Sequence, residues 1–145
     1  MIRPLFAVLS LAVATTVVVA QQNPITARQD LMKANSAQAK IGAAMVKGEA
    51  PFDLAKAKAI FAAYANSAAK VGDLFPPNSK TGDKTTAAPK IWEDMAGFKA
   101  KLAKFGADAK AADAATKDLN SFKAQFGEVQ KNCGGCHQTY RIKKS

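Results

Sequence analysis

The stretch Leu119-Asn120-Ser121-Phe122-Lys123-Ala124-Gln125-Phe126-Gly127-Glu128-Val129-Gln130-Lys131-Asn132-Cys133-Gly134-Gly135-Cys136-His137-Gln138-Thr139-Tyr140 carries two signals that run into each other. Leu119, Phe122, Phe126, Val129, Cys133, Cys136 and Tyr140 follow one another at spacings of three and four, which is one face of a 3.6-residue helix. The spacing therefore predicts an amphipathic helix whose inward seam leads directly into Cys133-Gly134-Gly135-Cys136-His137. Those five residues hold both cysteines and the only histidine of the chain.

C-x-x-C-H is the attachment pattern for c-type haem. Each thiol adds across one vinyl group to give a thioether, and the adjacent imidazole becomes the proximal iron ligand. On a helix, positions i, i+3 and i+4 share a face, so two sulfurs and a ring nitrogen can converge on one porphyrin. Other uses of the same residues fit less well. A structural zinc site takes about four nitrogen or sulfur ligands, and this chain offers three. A thioredoxin-like pair needs a strand–helix context, and no strand pattern lies nearby. A disulfide across two residues would give His137 no role.

Outward from this helix, alanine and lysine dominate, and proline and glycine fall at the seams. A first helix is predicted from Asn23-Pro24, a capping residue followed by proline at the first helical position, to about Lys47, ending at Gly48 and Pro51. Asp53 caps a second, through about Val71, with Leu54, Ala57, Phe61, Tyr64, Ala68 and Val71 on one stripe. Gly72 to Ala88 reads as a loop, on the turn signals Pro76-Pro77 and Thr81-Gly82-Asp83. A third helix opens at Pro89 and aligns Ile91, Met95, Phe98, Leu102, Phe105 and Ala109, with a polar join near Ala112 to Asp118. Four amphipathic helices with mostly short connections predict an all-α, antiparallel up-down-up-down four-helix bundle, with haem bound covalently near the C-terminus and its sixth position offered by another helix.

The first twenty residues read as a secretory signal: Arg3, then a largely apolar run from Leu5 to Val19, then Val18-Val19-Ala20 before Gln21. At about 15 residues the run is shorter than the roughly 18–20 that span a bilayer. Cleavage after Ala20 predicts one exported domain, residues 21–145, with no membrane span. The compartment would be the periplasm in a Gram-negative source, which suits haem attachment outside the cytoplasm. The formal charge is +10, about +9 without Arg3. The lysines are dispersed and no aromatics are interleaved among them for base stacking, which argues against nucleic acid and for redox partner proteins with acidic docking surfaces.

The chain resembles the class II c-type cytochromes, the cytochrome c′ family. The resemblance rests on the C-terminal Cys133-x-x-Cys136-His137 with Tyr140-Arg141, the early Arg28-Gln29, the turn Lys47-Gly48-Glu49-Ala50-Pro51-Phe52-Asp53, and Pro89-Lys90-Ile91-Trp92. It implies one covalent haem c on Cys133 and Cys136, with His137 as proximal axial ligand. In the family the residue four positions after the arginine faces the iron. A non-ligating leucine, phenylalanine or tyrosine there leaves a five-coordinate, gas-binding iron; a methionine supplies its sulfur. Arg28 leads to Met32, so the chain resembles the low-spin, methionine-ligated branch with Met32 as distal axial ligand.

Met45 and Met95 are the rival sulfurs. Met45 lies about 220° around the helix from Met32, and Met95 falls in the third helix's core stripe. The resemblance puts Arg28, and with it Gln29, beside a haem propionate; Arg28 as a solvated helix residue is the alternative. Arg141 either tunes the iron or belongs to a basic tail. Trp92 and Tyr140 are expected to pack around the porphyrin. The loop from Gly72 to Ala88 departs from the family pattern, and its haem contacts do not carry over. Family members are often dimers through the first two helices, so a homodimer is possible.

The expected function is single-electron Fe(III)/Fe(II) transfer by a six-coordinate His/Met haem rather than enzymatic catalysis. The alternative is a five-coordinate protein that binds nitric oxide or carbon monoxide. A haem peroxidase would need a distal histidine, and the only histidine is already used.

Overall fold

The computed structural model describes residues 23–143; the expected leader and its cleavage site lie outside them. Helix α1 spans Pro24–Lys47, α2 Leu54–Val71, α3 Lys90–Glu93, α4 Met95–Ala115 and α5 Leu119–Tyr140, with a 3-10 turn at Pro77–Ser79. The ends are set by local chemistry. Asn23 Oδ1 accepts from Ile25 N–H and Pro24 opens α1, which stops at Gly48 in the left-handed region (φ 77°), a conformation glycine adopts without steric cost. Asp53 caps α2 through Lys56 N–H. Asp118 and Ser121 form a reciprocal capping box at the start of α5.

The four-helix bundle is as expected, with one difference. The third helix is not continuous from Pro89: Asp94 (φ −135°, ψ 58°) breaks it into α3 and α4. The Asp94 carboxylate accepts from Gly97 N–H and so restarts the helix as an N-cap. The join before α5 is also shorter than expected, because α4 runs to Ala115 and stops where Thr116 extends, its hydroxyl bonded to Ala112 O.

Helices α1, α2, α4 and α5 enclose a core of Met45, Ile60, Phe61, Tyr64, Phe122, Phe126 and Val129. Phe122 sits at its centre, 5.7 Å from the Phe61 ring and 5.2 Å from Phe126. Each such side chain contributes roughly 1.5–3 kcal/mol on full burial. A second cluster closes one end of the bundle, where Ile91, Phe98 and Tyr140 pack with Phe75, Trp92, Met95, Leu102 and Cys136. Helices α1 and α5 run antiparallel and meet most closely where Gly42 lies under the Phe126 ring. A Cβ on Gly42 would sit 2.3 Å from Phe126 Cε2. Only glycine lets the two backbones approach this far.

The loop between α2 and α3 is tied down on two sides. Thr86 to Ala88 pairs with the residues that end α5, through Ala88 N–H to Tyr140 O and Ile142 N–H to Thr86 O, with an antiparallel bridge at Ala87 and Arg141. Its other side is bonded to α1. Among the described residues, no helix is long and apolar enough to cross a membrane.

Candidate haem site

Helix α5 brings Cys133 and Cys136 onto its core-facing side, half-buried and free of any disulfide. Burial pushes both thiols above their ordinary pKa, so they stand as neutral thiols. Gln130 links this turn to α2: its amide donates to Tyr64 Oη at 2.9 Å, and the Cys133 thiol lies 3.9 Å from its Oε1. A Cβ built on Gly134 or Gly135 meets nothing within 4 Å.

His137 is the informative residue. It stands eleven residues beyond Phe126, which on an ideal helix returns to within about 20° of the same direction. Phe126 is buried against α1, yet His137 is exposed. His137 is thus uncovered where Phe126, on the same face of α5, is covered. Desolvation and, secondarily, the Arg141 guanidinium lower the imidazole pKa, which favours the neutral ring whose free nitrogen can bind a metal.

Met32 occupies the facing position. Ten residues back from Gly42 along α1, and ten forward from Phe126 along the antiparallel α5, lie Met32 and Cys136, both about 15 Å from the tight crossing. Ala27, Asp30 and Leu31 border a groove with Lys70 of α2 and Leu74 of the loop that follows it. Met32 lies about 100° further round the helix from Leu31, outside the lining of that groove. Its neighbours Ile25 and Arg28 are 5 % and 4 % exposed, whereas Met32 is 37 % exposed. Two residues able to ligate iron, Met32 on α1 and His137 on α5, are thus exposed, His137 beside two free thiols. The rival sulfurs are placed otherwise: Met45 is in the main core and Met95 packs on the second cluster.

Arg28 is a buried side chain rather than a solvated one. Nη1 donates to Leu74 O and Ser79 Oγ, and Nη2 to Ser79 O and Thr85 Oγ1, all at 2.8–2.9 Å. The guanidinium also lies 4.5 Å from the centroid of the Phe75 ring. A guanidinium has five N–H groups, so at most one remains for a carboxylate. Gln29 donates to Asp83 O and Asn23 to the Asp83 carboxylate. All three residues bind the loop. Trp92 and Tyr140 are aromatic packing residues with polar anchors: Trp92 Nε1 donates to Phe75 O, and Tyr140 Oη donates to the Asp94 carboxylate at 2.7 Å. Ser79 and Thr85 are missed by sequence reasoning, since both act as acceptors for a side chain some fifty residues away and no local pattern marks that. Asn35, whose amide donates to Ser67 Oγ of α2, is missed for the same reason.

Fold and motif together define a four-helix bundle of the class that carries covalent haem near its C-terminus. The family model described as Cytochrome C′ matches residues 23–141. A cytochrome c′ of Rhodopseudomonas palustris is 46% identical over 127 residues, 88% of this chain and 87% of the relative. A cytochrome c-556 of Agrobacterium fabrum is 42% identical over 121 residues, 81% and 80% of the two chains. The solved structure of cytochrome c′ from Rhodopseudomonas palustris superposes with a TM-score of 0.83 at 46% identity, covering 86% of this chain and all of that one. The chain belongs to the cytochrome c′ family, and its cofactor is covalently attached haem c. Relatives bearing the two names, cytochrome c′ and cytochrome c-556, match at similar identity.

Proposed function

We propose that this c-type cytochrome is an exported single-electron carrier whose haem is held through thioethers on Cys133 and Cys136, with His137 as proximal and Met32 as distal axial ligand. The observation that supports the reading is that Met32 on α1 and His137 on α5 are both exposed, each about three helical turns from the Gly42–Phe126 contact that joins the two helices. When bound, the haem supplies a reversible Fe(III)/Fe(II) couple, and a thioether ligand raises its potential. The chain's own residues then do three things. Phe75, Phe98, Trp92 and Leu102 form an apolar wall at that end of the bundle; the two thiols fix the macrocycle in position; and two filled axial positions leave no open site for a substrate.

The expected location is the periplasm, after removal of the leader, and the expected partners are redox proteins with acidic surfaces. Lys80 and Lys84 on the loop and Arg141 and Lys143 on the tail are exposed, and none joins the ion pairs among the described residues. They provide a basic face that would speed encounter at low salt. Assembly as a homodimer through α1 and α2 would cover the exposed Ile41 and Leu54.

Optical spectra of the oxidised and reduced holoprotein test the ligation. The expected reduced spectrum is low-spin with sharp α and β bands and is unchanged by carbon monoxide. Met32→Ala should convert it to high spin with the haem still covalently attached. A Met32→Ala protein with the parent spectrum would refute the distal assignment. The second reading, an open distal site that binds nitric oxide or carbon monoxide, draws on the relatives named cytochrome c′; a broad high-spin spectrum with ready carbon monoxide uptake in the unaltered protein would establish it instead.

A further inference from the structure

We propose that Arg28 is a positioning residue for the distal ligand: it clamps the 72–88 loop as a strap between α1 and the end of α5, and the strap fixes how far Met32 stands from the haem-bearing helix. The inference rests on the reading of Met32 as distal ligand.

Two constraints set the separation of α1 and α5. At one level the Gly42–Phe126 contact holds the helices together. Beyond that level the only covalent path between the two helices is long, so any closing force has to come from non-covalent bonds. The strap supplies them. One side is bonded to α1 by the four Arg28 hydrogen bonds and those from Gln29 and Asn23 to Asp83. The other side is bonded to the end of α5 by the pairing of Thr86–Ala88 with Tyr140–Ile142.

The strap is also stiffened from within. Phe75 lies between the Arg28 guanidinium and the Phe98 ring, at 4.5 and 4.8 Å, and its carbonyl accepts from Trp92. Arg28 stands one helical turn before Met32 and is almost wholly buried. Holding Arg28 therefore fixes both the rotation of α1 at Met32 and its distance from α5.

The test uses the holoprotein and two variants that act on opposite ends of one clamp. Arg28→Met removes the donors; the double variant Ser79→Ala, Thr85→Ala removes two acceptors while leaving Arg28 and α1 intact, and it stands in if Arg28→Met fails to fold. The readouts are ferric spin state, carbon monoxide affinity, and hydrogen exchange at Ala88 and Ile142. Both variants are expected to show a high-spin fraction, a roughly tenfold gain in carbon monoxide affinity as the closed state loses population, and faster exchange at both amides. Faster exchange with spin state and gas affinity unchanged would overturn the proposal, since a purely structural clamp behaves that way. An effect of Arg28→Met that the double variant does not share would also overturn it, because that points to a haem carboxylate instead. An unaltered protein that is already high-spin refutes the Met32 reading and the strap with it; a low-spin protein indifferent to both variants refutes the strap alone.

Discussion

Replacing Gly42 by alanine places a methyl group inside the Phe126 ring contact. The new carbon would lie 2.3 Å from Cε2 and 2.6 Å from Cζ, more than 1 Å closer than ordinary carbon contacts of about 3.5–4.0 Å. The ring cannot withdraw freely, because Phe126 is 7 % exposed and packs on Phe122. Overpacking of this kind costs about 1–3 kcal/mol, and an intrusion beyond 1 Å belongs in the upper half of that range. Alanine recovers about 1 kcal/mol of helix propensity over glycine. The net expected loss is therefore about 1–2 kcal/mol, or roughly 4–8 °C in Tm for a domain of this size. Phe126→Leu removes the atoms that clash, so in that background Gly42→Ala should be neutral or stabilising by up to about 1 kcal/mol. Urea unfolding of the four holoproteins, followed by far-UV circular dichroism, gives the double-mutant cycle. The expected coupling is about 1–3 kcal/mol. A coupling within about 0.5 kcal/mol of zero, or a Gly42→Ala protein more stable than its parent, would refute the claim that this contact sets the helix approach.

Two further expectations concern ionisation. The chain has two tyrosines, and both are pushed up to about 12: Tyr64 by burial and Tyr140 by its hydrogen bond to Asp94. Because the folded pKa is raised, the stability they contribute is intact below the ordinary value of about 10 and is lost as pH rises toward 12. A spectrophotometric titration should accordingly show no phenolate near pH 10, and a tyrosine that ionises there in the folded protein contradicts the assignment. Asp94 is held below the ordinary carboxylate range, first by the Tyr140 hydroxyl and then by Gly97 N–H. Its contribution is present above about pH 4 and lost as pH falls through the lower folded value. Asp94→Asn should flatten the acid side of a urea-midpoint profile; equal acid losses in parent and variant would rule this out.

Most helix ends were legible because they are written in caps. Asn23-Pro24, Gly48 and Asp53 each act within three residues, a range a sequence displays directly. The break at Asp94 is hidden because Ile91, Met95 and Phe98 keep their spacing of four and three across it, so the inward stripe survives while the backbone does not. The end of α4 is hidden because Ala111, Ala112, Ala114 and Ala115 offer no stop signal and the terminator is the extended backbone of Thr116. Leu54, read as the start of the α2 stripe, is in fact exposed. At the site, the five-residue motif marks both thiols and the imidazole as candidates, and counting from Arg28 marks Met32, whose ligation is the proposal that the spectra test. The hydrogen-bond partners of Arg28 were illegible, since Leu74, Ser79 and Thr85 become its neighbours only when the loop folds back over α1.

Gly134 and Gly135 sit in the middle of a helix with nothing crowding them, so a tight fit is not the reason they are there. Each weakens the helix by about 1 kcal/mol relative to alanine. The turn between the two thiols is thus the softest part of α5 while the sulfurs are free, and unwinding it would present them to whatever enzyme fastens the porphyrin. With both sulfurs tethered as proposed, a macrocycle would bridge the same turn and remove the freedom the glycines leave. The segment would then be pliable during assembly and stiff in service, with the covalent bond itself making the change.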